Sequence, residues 1–221
     1  MKAFPLFAGL AALGMLAVHY LAFVYVPMEV TMGASQRIFY IHLPSAWLCY
    51  LGFVISFVAS LGYLINRKAR WDAAAVTAAE VGLIFGVVVL VTGPLWAKAA
   101  WGVWWKWEPR LTTMAILFMI FSGYRLLRAF GGDGPGVRVF AAVLAVFGAP
   151  QIYFVHIAVS RWQGDHPNNV VMEPEMRVAL YSNLGLMMIV FFLLLRLRYR
   201  VRRDALTVSA LKRRLARMGA G

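Results

Sequence analysis

Hydrophobic and polar positions in this chain alternate on a scale of about twenty residues rather than two or four. Apolar runs at roughly 5–27, 43–65, 73–95, 111–129, 138–158 and 178–196 are separated by short polar segments. At about 1.5 Å rise per residue, such a run crosses the ~30 Å hydrocarbon core of a bilayer as a helix. In lipid every backbone N–H and C=O must find its partner inside the segment, so a helix is the economical solution. The pattern predicts an all-α polytopic membrane protein, a six-transmembrane-helix bundle with a Trp-rich segment at 96–113. Residues 1–221 then form a single integral membrane domain, and the runs leave no room for a soluble one.

Composition supports this: 62% of the 221 residues are hydrophobic and 14% charged, with a mean hydropathy of +0.72, far too apolar for a domain whose surface must face water. The first run follows Lys2. It is longer than a signal-peptide core and no small-residue cleavage site follows it, so it is expected to be a true span. Lys and Arg set the orientation, since positive residues near spans are retained in the cytoplasm. With the amino terminus inside, sixteen lie at inner segments, nine of them from Arg196 to Arg217, and six at outer ones. Both termini are therefore expected in the cytoplasm. The net charge of +13 is accounted for by topology and anionic membrane lipid, and no nucleic-acid partner is expected. The lone Cys49 excludes a disulfide and reads as a small core residue.

This topology brings three outer segments to one face. One is "WAKAAWGVWWKWEPRLTT", which holds five of the eight tryptophans at 96, 101, 104, 105 and 107. His42 in "FYIHLPS" and His166 in "SRWQGDHPNN" belong to the others. The inner connections, "NRKARWD" and "YRLLRAFGGDGPGVR", are short and basic, with little to perform chemistry. His19 lies within span one and is expected to pack; His156, near the outer end of span five, is a second-choice ligand. Glu80, inside span three, must pair, take a proton or reach water, because an unpaired carboxylate in lipid is costly.

In helical register Trp101, Trp104, Trp105 and Glu108 would share one stripe. Pro109 ends such a helix and biases Glu108 to extended backbone. The expectation is a short amphipathic segment along the membrane surface, a break at Glu108, and a new helix with Glu108 at its cap and Pro109 in its first turn. Arg110 would then project beside a helix amino terminus, a ready carboxylate site. An interfacial aromatic belt is the alternative, but a belt spreads its rings around the bundle. A large, flat, apolar ligand with carboxylates and a centre that takes imidazole matches all these features, and haem is such a ligand. His42 and His166 are the candidate axial ligands. Arg110 with Arg37, Lys98, Lys106 or Arg161 are the candidates for the propionates.

The run "WGVWWKWEPRLT" resembles the signature W-G-x-W-W-x-W-D-x-R-L-T of the tryptophan-rich haem-handling proteins of cytochrome c biogenesis. Among them, the six-span plan is similar to the heme exporter protein C family. "YIHLPSAW", "EVGLIFGVVVLVTGPLWAKAAWG" and the outer Trp162 and His166 extend the likeness over most of the chain. The resemblance implies a multi-pass protein of the bacterial inner membrane that is not an enzyme. It would bind haem b at its periplasmic face through His42 and His166. Trp96, Trp101, Gly102, Trp104, Trp105 and Trp107 would supply a platform, with Glu108 and Arg110 at the surface of handover. The implied partners are a periplasmic haem chaperone, a pair of ATP-binding-cassette transporter subunits and a small single-span subunit. Two positions depart from the pattern: Glu108 stands in place of Asp, and "QGDHPNN" lacks the usual Gln after the His, which keeps His156 open as the second ligand. A b-type cytochrome and a transmembrane haem transporter remain the alternatives. The cytochrome calls for ligands deep in the spans, and the transporter for broken helices and repeats.

Overall fold

The computed structural model describes residues 4–30, 32–162, 166–167 and 170–218. Among them seven α-helices follow one another: α1 (Phe4–Tyr20), α2 (Phe39–Asn66), α3 (Ala69–Trp101), α4 (Pro109–Phe130), α5 (Pro135–Gly148), α6 (Gln151–Trp162) and α7 (Pro174–Met218). A π-helical turn, Leu21–Tyr25, extends α1, and a 3-10 turn, Ala34–Ile38, leads into α2. Six stretches are long and apolar enough to cross a membrane, the fifth being α5 and α6 together. Pro150 divides that span, since it lacks the N–H a continuous helix needs there and its ring crowds the preceding turn. The pattern of apolar residues alone gave no sign of the break.

The tightest contact in the bundle joins α2 and α3. A Cβ built on Gly52 would stand 2.6 Å from the Gly82 Cα, so the two backbones meet with no side chain between them. Ala75, Ala78 and Ala79 continue this small-residue face and are buried. Where lipid offers no hydrophobic drive between helices, such close approach maximises dispersion contact. Around it Leu48, Cys49, Phe53, Phe85, Leu117, Phe121 and Phe191 form the core, and Phe53 stacks on Phe121 with centroids 3.8 Å apart. By contrast α1 exposes Leu6, Leu10, Leu13 and Leu16 and touches the bundle chiefly along α7, where Gly14 faces Leu186.

The end of the bundle that carries the α2–α3 and α4–α5 connections is held by ion pairs. Glu80 lies 2.7 Å from Arg125 of α4 and 2.6 Å from Arg198 of α7, so the intramembrane carboxylate is paired. Arg128, whose side chain is fully buried, lies 2.9 Å from Asp72 and 3.0 Å from Asp133. Arg138 and Arg202 complete the set at 3.7 Å from Asp72 and 3.4 Å from Asp133. The basic connections therefore do structural work that their composition did not announce. From this end α7 runs on as helix to Met218, well past its apolar block.

Candidate functional site

At the opposite end the α1–α2, α3–α4 and α6–α7 connections surround a cavity of about 450 Å³, within the range of ~300–1,000 Å³ common for small-molecule sites. Its wall includes His42, Trp96, Trp101, Trp105, Arg110 and His166. Apolar side chains such as Leu43, Met114, Val155 and Met176 line the remainder.

His42 sits one turn into α2. Its Nδ1 lies 2.8 Å from the Thr92 hydroxyl of α3, which ties the ring to the neighbouring helix. His166 reaches the same cavity from the α6–α7 connection. Its Nδ1 stands 3.1 Å from Arg110 Nη1 and 3.1 Å from the Pro167 carbonyl. Burial, reinforced by the Arg110 cation, lowers the His166 pKa from 6.5 to about 4, against the opposing pull of the Pro167 carbonyl. The ring is therefore neutral throughout the physiological range. His156 also lies on the wall but exposes its side chain, and its backbone oxygen accepts from Arg110 Nη2 at 3.4 Å. His19 is elsewhere, bonded through Nδ1 to the Met15 carbonyl and stacked on Phe23.

The tryptophans divide into two sets because the expected helical stripe does not form. α3 continues through Trp96 to Trp101 and stops at Gly102, whose φ of 76° is left-handed, a conformation glycine adopts freely. Residues 102–108 then run without helix to α4. The helical register that would align Trp101, Trp104 and Trp105 is thus replaced by an extension of α3 and a non-helical return. Trp96 packs edge-on against Trp101 at 5.0 Å and against the His166 ring at 5.9 Å. Trp105 turns to the wall, whereas Trp104 and Trp107 are 57% and 81% exposed. Glu108 caps α4, its Oε1 accepting from the Leu111 N–H at 2.7 Å, with Pro109 in the first turn.

Of the five basic candidates for a ligand carboxylate, only Arg110 lies on the cavity wall. Lys98 donates to the Gly102 carbonyl at 2.8 Å, closing the end of α3. Lys106 lies over the Trp101 ring at 5.0 Å, and Arg37 and Arg161 are absent from the lining. Two wall residues hold buried polar atoms without a hydrogen-bond partner among the described residues, the Trp105 indole N–H and the Gln36 Oε1. Unsatisfied buried groups carry a free-energy cost, and both atoms are closed off behind the wall rather than open to the cavity. Gln36 and Thr92 escaped the sequence reading: each is an ordinary polar residue beside apolar neighbours, Gln36 on the cavity wall and Thr92 brought to His42 only by the packing of α2 on α3.

The model of the family described as heme exporter protein C matches residues 1–218. Heme exporter protein C of Rhodobacter capsulatus is 31% identical over 204 residues, covering 88% of this chain and 84% of that protein. The protein of the same name from Bradyrhizobium diazoefficiens is 37% identical over 147 residues, 66% of this chain and 56% of its own length. That from Escherichia coli K12 is 30% identical over 174 residues, covering 78% and 70%.

Proposed function

This chain belongs to the heme exporter protein C family, and from that membership we propose that it receives haem b as cargo in the cavity described above and presents it for cytochrome c maturation. The observation that carries the reading is the convergence of three imidazoles, four indoles and one guanidinium on a single cavity. No group of three or more His, Cys, Asp or Glu able to hold a bare metal ion occurs among the described residues. Two imidazoles suit an iron whose remaining bonds come from its own macrocycle.

In this reading His42 and His166 are the axial ligands, and His156 remains the second choice for the latter. Trp96, Trp101 and Trp105 cover the macrocycle, and the edge-on packing of Trp96 on Trp101 and of Trp105 on Trp107 gives rigid apolar walls. Arg110 meets the propionates, while Arg37, Lys98, Lys106 and Arg161 act outside the cavity. Exposed Trp104 and Trp107, with Gly102 and capped Glu108 beside them, form the surface to which a periplasmic haem chaperone docks. The face lies in the periplasm of a bacterial inner membrane, with both termini in the cytoplasm. Transporter subunits of the ATP-binding-cassette type and a small single-span subunit complete the assembly. The chain delivers haem; none of its own side chains completes a reaction.

Absorption and paramagnetic resonance spectra of the purified protein test this. His42→Ala and His166→Ala should each convert a six-coordinate haem spectrum to a five-coordinate or empty one, and His156→Ala should leave it unchanged. Retention of the spectrum in both of the first two variants would overturn the assignment. Loss on changing His19 instead would favour an electron-transfer cytochrome, with its haem outside this cavity, whose wall does not include His19.

A further inference from the structure

The His42–Thr92 contact determines more than a position. The Thr92 hydroxyl oxygen lies 2.7 Å from the carbonyl oxygen of Val88, one turn earlier in α3. Two oxygens at that distance need a proton between them, and a carbonyl has none to give, so the single hydroxyl proton of Thr92 points back to Val88. Toward His42 the same oxygen is therefore an acceptor. Its partner, the imidazole Nδ1 at 2.8 Å, must carry the hydrogen. In the neutral ring this leaves Nε2 with its lone pair free.

We propose that Thr92 is a positioning residue for haem capture: by accepting from Nδ1–H and spending its own proton on Val88, it holds His42 in the one neutral tautomer whose Nε2 can ligate iron. The proposal rests on His42 being a ligand and assigns a role to a residue outside the tryptophan-rich run. Metal-bound histidines commonly donate their second ring N–H to a carboxylate, carbonyl or water, and this bond sets ring orientation and raises ligand basicity. Here a hydroxyl provides the acceptor, and a backbone carbonyl fixes the polarity of that hydroxyl. A Thr is suited to the task in lipid because it brings no charge, and its back-bond to α3 restricts the χ1 angle that aims it.

The two imidazoles are consequently prepared in different ways. His166 Nδ1 is contested by a donor, Arg110, and an acceptor, Pro167, at the same 3.1 Å. When it accepts from Arg110, its proton sits on Nε2, where it blocks ligation. When it donates to Pro167, Nε2 is free. His42 has no such second choice: it is set to ligate before haem arrives, and His166 becomes competent once Arg110 turns to another acceptor, such as a carboxylate. This order places first capture on His42.

The test uses full-length protein in detergent micelles, with Thr92→Val as the isosteric variant that cannot accept and Thr92→Ser as the variant that keeps the hydroxyl. Nitrogen-15 spectra of histidine-labelled, haem-free protein should show His42 protonated at Nδ1 in the parent and Thr92→Ser, and a tautomer mixture in Thr92→Val. Haem should leave Thr92→Val about 10–100-fold faster than the parent, with Thr92→Ser close to the parent. An unchanged tautomer together with a dissociation rate within about twofold in Thr92→Val would overturn the proposal. Its failure is distinct from failure of the ligand assignment: if His42→Ala weakens haem and Thr92→Val does not, only the role of Thr92 is lost. If His42→Ala has no effect, the ligand assignment itself falls.

Discussion

Replacing Arg110 by Gln perturbs both states of the cavity, and the consequences separate cleanly. The guanidinium donates toward His166 Nδ1 at 3.1 Å and toward the carbonyls of His156 and Pro167 at 3.4 and 3.5 Å. The last two are at the limit of useful hydrogen-bond geometry, so most of the tether is the His166 contact. A hydrogen bond from a charged donor contributes about 1.5–3 kcal/mol, and a carboxylate contact in the loaded state would draw on the same range. Because Arg110 must release His166 before it engages the ligand, the net effect on affinity lies at the lower end. About 1.4 kcal/mol, or tenfold in the dissociation constant, is expected. A second effect concerns protonation. Arg110 is one of two causes that hold the His166 pKa at about 4, and burial is the larger. Removing the cation raises that pKa while burial keeps it below 6.5. Between pH 6.5 and about 4 the unfolded chain takes up a proton that the folded protein refuses, so stability falls as the pH falls across this window, and the variant should show a smaller loss. Haem titrations followed in the Soret band from neutral to acid pH should show ligation lost near pH 4 in the parent, and at a higher pH in Arg110→Gln. An affinity within about twofold and an unmoved acid limit would refute the reasoning. Lys at 110 keeps the charge but loses the planar fork, and should restore the acid limit more fully than the affinity.

Two predictions concern the frame that positions the cavity. Arg128→Ala leaves the buried Asp72 carboxylate only Arg138 at 3.7 Å, and loss of one member of a buried pair costs about 3–5 kcal/mol. Arg128→Met combined with Asp72→Asn should recover much of this in thermal unfolding in detergent, and an equally destabilised double variant would count against the pair. Gly52→Ala places a methyl 2.6 Å from Gly82 Cα and should destabilise by about 1–3 kcal/mol through overpacking. Gly123→Ala, whose methyl would meet nothing within 4 Å, should be neutral or gain a few tenths of a kcal/mol; similar losses at both sites would show that α2 and α3 are not in backbone contact.

The tryptophan-rich run shows where local reading succeeds and where it stops. Pro109 and Glu108 act through chemistry confined to one turn, a missing N–H and an acceptor at a helix amino terminus, and α4 begins where that chemistry places it. The stripe of Trp101, Trp104 and Trp105 assumed that helix persists through Gly102. A left-handed glycine instead ends α3 there, sends Trp105 to the cavity and leaves Trp104 and Trp107 exposed. Likewise Arg110 stood out by its place beside a helix amino terminus, whereas Arg37, Lys98, Lys106 and Arg161 were equivalent to one another as charges along a chain. Only packing distinguishes the one on the cavity wall from a lysine that closes α3 and another that covers an indole.

The amino-acid sequence by itself determined the helical class and the number of spans, because each apolar block must satisfy its own backbone in lipid and does so without reference to any other. It also determined which connections collect the imidazoles and indoles, since chain direction reverses at every span. Tertiary structure alone decided the pairing of Glu80 with α4 and α7, the bond from Thr92 to His42 fifty residues away, and the contest between Arg110 and Pro167 for His166. Those contacts depend on how deeply α2 and α3 approach at Gly52 and Gly82 and on where α4 meets the α6–α7 connection. Such distances arise from the packing of whole helices, and no window of neighbouring residues contains them.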